Sequence, residues 1–67
     1  MKNMKIKVEN NLDEIVGELE RLGYREITAK HNGVMSFVYV WDRGYFYPLI
    51  MDMPFGDLTT LAELKEM

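Results

Sequence analysis

Apolar and polar residues alternate through the first stretch of the chain, where Met4, Ile6 and Val8 are separated by Lys5 and Lys7. A period of two predicts a β-strand with an apolar face and a lysine face. The period then changes. Leu12, Ile15, Val16, Leu19 and Leu22 recur at helical spacing and predict an amphipathic helix, capped by Asn10 or Asn11 and stopped at Gly23. Asp13 and Glu14 in its first turn and Arg21 in its last suit the helix dipole. Gly17 interrupts the run at a cost of about 1 kcal/mol relative to alanine. It marks either a close backbone approach or a neutral position.

Three β-rich runs follow, residues 24–31, 34–41 and 45–53, separated by Asn32-Gly33 and Asp42-Arg43-Gly44. Asn-Gly favours a two-residue type I′ turn, and Asp-Arg-Gly a type I turn closed by a left-handed glycine, so the runs read as a meander. The turns set a register. Placing His31 opposite Val34 puts Ala29/Ser36, Ile27/Val38 and Arg25/Val40 on one face, and Lys30/Met35, Thr28/Phe37, Glu26/Tyr39 and Tyr24/Trp41 on the other. The second hairpin continues the latter face through Trp41/Tyr45, Tyr39/Tyr47, Phe37/Leu49 and Met35/Met51.

The first face is mostly aliphatic or small (Ile27, Ala29, Val34, Ser36, Val38, Val40, Phe46, Ile50) and is expected to receive the helix. The second gathers Phe37, Tyr39, Trp41, Tyr45, Tyr47, Leu49 and Met51. Pro48 has no N–H to donate, which predicts an edge position for the last strand of the meander. The first strand, returning through a helical crossover, is then expected parallel to the second, in the order 1-2-3-4. Thr60-Leu61-Ala62-Glu63 fits a capping box that opens a short C-terminal helix. Leu58, Leu61 and Leu64 are positioned to fold back over part of the aromatic face. The expected fold class is α+β: one domain over residues 1–67, β-α-β-β-β plus the short helix, with a mostly antiparallel four-stranded sheet and one helix packed on one face.

Length and composition narrow the picture. A domain of about 60 residues buries only about 60% of its unfolded surface. With no cysteine there is neither a disulfide framework nor a thiolate zinc site, so hydrophobic burial must hold the fold, helped by any self-association. The hydrophobic fraction of 48% with 28% charged residues is that of an ordered globular chain. The net charge of -3 makes the protein acidic and disfavours general binding to phosphate backbones and anionic lipid. No apolar run approaches the roughly 20 residues of a membrane span, and no basic-then-apolar leader opens the chain. The expected location is cytoplasmic.

Candidate chemistry is sparse. His31, the single histidine, has no second histidine or cysteine to work with and reads as a solvated residue beside a turn. Ser36 fits no nucleophile-elbow pattern and reads as a small core-facing residue. Asp52 and Asp57 flank Met53-Pro54-Phe55-Gly56 without the spacing of a calcium loop. No catalytic residue, metal or cofactor is expected, and the chain does not read as an enzyme. Glu14, Glu18 and Arg21, with Asp13 and Glu20, make a mainly negative outer helix face, read as solvated or as complementary to a basic groove. The aromatic face is the informative feature. Tyrosine, tryptophan and methionine are enriched in interface cores. The expected function is therefore a small interaction or regulatory module that forms a homodimer or binds a protein partner through Phe37, Tyr39, Trp41, Tyr45, Tyr47 and Leu49. The alternative is nucleic-acid contact by base stacking on the same face, disfavoured by the few basic residues of the meander, Arg25, Lys30 and Arg43.

Overall fold

The computed structural model describes residues 2–27 and 34–67. Along the chain these form β1 (Met4–Lys7), α1 (Leu12–Arg21), β2 (Arg25–Glu26), β3 (Phe37–Trp41), β4 (Tyr45–Leu49), β5 (Asp57–Thr59) and α2 (Leu61–Lys65). The strands make one mixed sheet in the order β2-β4-β3-β1-β5. The fold is α+β as expected, with one more strand and a different strand order. Its radius of gyration of 10.6 Å matches the value of about 11 Å for a compact chain of this length.

Both helices lie where the sequence spacing places them. Gly23 adopts φ +98° and ends α1. Its N–H donates to Glu20 O, and the Tyr24 N–H donates to Leu19 O, the paired bonds of a Schellman motif. Leu19 and Tyr24 both enter the core, supplying the apolar contact that accompanies this ending. Asn11 is the N-cap, although its Oδ1 accepts from the Glu9 N–H rather than from the helix. In α2 the Thr60 and Glu63 side chains cap each other's backbone reciprocally, the capping box read from the sequence. Gly17 has open space where a Cβ would stand, so no close approach explains it.

The β3–β4 hairpin keeps the expected register, pairing Trp41 with Tyr45, Tyr39 with Tyr47 and Phe37 with Leu49. Gly44, at φ +95°, donates to Trp41 O and closes the turn. The pairing expected on the other side of β3 is overturned. β3 takes β1 as its second neighbour, antiparallel, with Met4 beside Val40 and Ile6 beside Val38. β2 instead runs parallel along the far side of β4, with Arg25 beside Tyr45 and Glu26 beside Phe46. Val38, Tyr39 and Val40 are fully buried, so β3 has apolar side chains on both faces and takes a central place. Arg25 and Glu26 suit an edge, where charge discourages further pairing.

This exchange moves side chains between faces. Arg25 lies on the face of Tyr45, and Ile27, whose N–H donates to Phe46 O, continues the register beside Tyr47 on the aromatic face instead of the aliphatic one. The expected pairs Arg25/Val40, Ile27/Val38, Glu26/Tyr39 and Tyr24/Trp41 are thereby replaced. Those involving residues 28–33, with the Asn32-Gly33 turn, lie outside the described residues. The edge position expected for this strand from Pro48 is corrected, since β4 lies between β2 and β3 and Pro48 is buried.

The core fills the space between one sheet face and the two helices. Met4, Ile6, Val38, Val40 and Phe46 from the sheet meet Ile15 and Leu19 of α1 and Leu64 of α2. The short helix therefore packs beside α1, and the expectation that it covers the aromatic face is corrected. Arg21 ties α1 to α2, donating from Nη2 to Leu64 O at 3.0 Å, while its Nε donates to Glu18 Oε1 of its own helix at 2.7 Å. Leu58, on β5, pairs with Lys5 and is largely exposed.

Candidate interaction surface on the aromatic sheet face

The strand registers arrange the face opposite the helices in three rows. Arg25, Tyr45 and Trp41 form the first. Ile27, Tyr47, Tyr39, Lys5 and Leu58 form the second, and Leu49, Phe37 and Lys7 the third. The rings stand close: Trp41 and Tyr47 have centroids 4.9 Å apart, Tyr39 and Tyr47 6.0 Å, and Phe37 and Tyr39 6.2 Å. Such tilted pairs contribute beyond the area they bury. The Lys5 ammonium lies 4.6 Å from the Phe37 ring centroid, a cation-π contact that caps the β1 end of the face.

Residues 50–56 cross this face as a strap on their way from β4 to β5. The Tyr39 hydroxyl donates to Met51 O and accepts from the Met53 N–H, both at 2.6 Å. Asp52 pairs with the Lys5 ammonium. Phe55 sets its ring edge-on to Tyr39 at 5.8 Å and to Trp41 at 5.6 Å. At the end of the strap Gly56 adopts φ +73°, and a Cβ there would stand 2.8 Å from Met4 N, so only glycine lets the strap reach the β1 backbone. Asp57 then pairs with Lys2 and its N–H donates to Asn3 O, which begins β5. Asp52 and Asp57 are thus each engaged by a different lysine.

The strap divides the sequence-predicted residues into two groups. Tyr39 is fully buried, and Phe37 and Trp41 are half-buried beside it. Tyr45 is exposed, with half-buried Tyr47 and Leu49 next to it on β4. Ile27 (52%) and Tyr45 (45%) expose large apolar area on the β2–β4 side, and Ile50 (60%) and Met51 (56%) do so at the start of the strap. Ile27 was not among the candidates, because the expected β2–β3 pairing put it on the wrong face. Phe55 was not either. An aromatic residue inside a Pro-Gly loop was the signal that this loop has a surface to cover.

Ser36 is half-buried just before β3, its N–H donating to Leu49 O and its carbonyl accepting from the Val8 N–H. His31 lies outside the described residues. Among the described residues no group of three or more histidine, aspartate or glutamate side chains is placed to hold a metal ion. Burial pushes the Tyr24 phenol above its usual range, and the Asp42 carboxylate adds to the shift. Tyr24 belongs to the core on the helix side. The outer face of α1 is tied to α2 by the Glu14–Lys65 pair as well as by Arg21. Among the described residues, no helix is long and apolar enough to cross a membrane. No protein family, curated protein or solved structure matches this chain.

Proposed function

We propose that the protein is a small non-catalytic interaction module that self-associates through the open half of its aromatic sheet face. The contact surface is the strip Ile27, Tyr45, Tyr47 and Leu49, extended at its end by Ile50 and Met51. The observation that carries the reading is the exposure of Ile27 and Tyr45 beside half-buried Tyr47 and Leu49 on the β2–β4 side of the aromatic face, with Ile50 and Met51 exposed where the chain leaves β4. Contiguous apolar surface of this kind marks an interaction site. Its side chains bury area and offer phenol hydroxyls at their edges, which suits an interface core better than proton transfer. A two-fold contact lets one patch bury its own copy, so a homodimer is the simplest closed form. Tyr39 is a support beneath the strap in this reading and not a contact residue.

Sedimentation equilibrium of the wild type and of Tyr45→Glu tests this. Wild type is expected at twice the chain mass, and Tyr45→Glu at the monomer mass with unchanged circular dichroism, because Tyr45 is exposed and outside the core. A wild type that stays monomeric at millimolar concentration overturns self-association and reassigns the strip to a heterologous protein. Salt-sensitive binding of a single-stranded oligonucleotide, lost in Tyr45→Glu, would favour base stacking instead.

A further inference from the structure

We propose that the helix side of the protein carries a small-molecule site at one end of its core, which takes an uncharged single-ring compound bearing one hydroxyl and holds that hydroxyl against the Tyr24 phenol. The site lies on the face opposite the association surface and is independent of it. Met4 of β1, Leu22 and Tyr24 after α1, and Met67 after α2 wall a cavity of about 290 Å³, with exposed Lys2 as the charged member of the lining. This volume is near the lower end of ligand pockets. An apolar cavity of about 150 Å³ already admits benzene, so there is room for one ring and its substituents.

Tyr24 supplies the observation that points to a ligand. The residue is only 5% exposed, and a buried phenol normally finds a hydrogen-bond partner. Among the described residues none bonds to its hydroxyl, yet no buried polar side-chain atom is left orphaned, so this oxygen keeps access to open space. Apolar walls with one phenol oxygen to satisfy fit an apolar molecule with one polar group. Charge narrows the class further. Burial, and then the Asp42 carboxylate, raise the Tyr24 phenol, so it stays protonated at neutral pH and is able to donate. An anionic head group set against it would meet Asp42, and a cationic one would meet Lys2, whose ammonium is 3.6 Å from Asp57. A hydroxyl donates and accepts without bringing a charge.

Two-dimensional amide NMR with p-cresol and toluene, which differ by one hydroxyl, tests the site on the full chain. Titration with p-cresol is expected to give saturable shifts at Met4, Leu22, Tyr24 and Met67, with binding about three- to tenfold tighter than that of toluene. In Tyr24→Phe, which keeps the ring and is checked for folding by circular dichroism, that preference should disappear. The wild-type comparison of the two compounds needs no variant. Absence of saturable shifts with either compound up to its solubility limit overturns the site. Equal affinity for p-cresol and toluene in wild type, or a preference retained in folded Tyr24→Phe, overturns the role of the phenol. Tighter binding of p-toluate or p-methylbenzylamine overturns the uncharged class. Shifts confined to Ile27, Tyr45 and Tyr47 place the compound on the aromatic face and overturn the proposal as well.

Discussion

On the helix side of the sheet, Met4, Ile6, Val38, Val40 and Phe46 are each at most 2% exposed, whereas on the opposite side Tyr39 alone of the described aromatic residues is buried to that degree. Two helices cover the first face with branched aliphatic side chains that interlock with those of the sheet. Among the described residues, a seven-residue strap covers the middle of the second and leaves Tyr45 and Ile27 exposed on its β4 side. The same five strands thus carry a closed face, which accounts for the fold, and a partly closed face, on which the proposed contact lies. Alternation along β3 produces both at once: Val38 and Val40 point one way, and Phe37, Tyr39 and Trp41 the other.

The largest expected effect breaks the closed face. Leu19→Ala removes a fully buried side chain near the C-terminal end of α1 and should cost about 2 to 5 kcal/mol in chemical denaturation. A loss below half a kilocalorie, by the same cited scale, would mean that α1 does not close this face. Next comes the pH response of the same core. The folded state raises the Tyr24 phenol, so the stability this group contributes is complete below its unfolded value of about 10 and is lost as pH rises through the folded value. Denaturation midpoints measured from neutral to strongly alkaline pH should fall less steeply above the unfolded value of about 10 in Tyr24→Phe than in wild type. The smallest effect lies outside both faces. Gly17→Ala fills open space on the solvent side of α1 and should stabilise by about 0.5 to 1 kcal/mol, raising the midpoint without changing the denaturant slope.

The difference between the faces also explains what could be read from the sequence. Local signals were strong where neighbours in the chain decide the structure: the spacing from Leu12 to Leu22, the Gly23 stop, the Thr60–Glu63 box and the Asp42-Arg43-Gly44 turn all appear as expected. Strand order is decided by competition between distant segments, and there the simplest crossover was misleading. β1 and β2 do run in the same direction, since each lies parallel to β4, but the β3–β4 hairpin is inserted between them. The reason lies in burial: β3 is apolar on both faces and needs a neighbour with buried Met4 and Ile6, which the charged Arg25-Glu26 pair cannot supply. Choosing the wrong neighbour flipped Ile27 to the wrong face, and with it one member of the candidate strip. The five β4 and β3 candidates other than Tyr39 kept their face and some access to solvent, while the strap, whose contacts are to Tyr39, Lys5 and Trp41 far away in sequence, had no local signature beyond Phe55.

The central claim is that the open β4 side, and not the helix side, is where a second copy docks. Two-dimensional amide NMR across a dilution series reads this residue by residue. The account predicts concentration-dependent shifts at Ile27, Tyr45, Tyr47, Leu49 and Met51, with the α1 and α2 amides unmoved and the shifts abolished in Tyr45→Glu. Shifts concentrated on Glu14, Glu18 and Lys65, or no shifts in a wild type of dimeric mass, would contradict it.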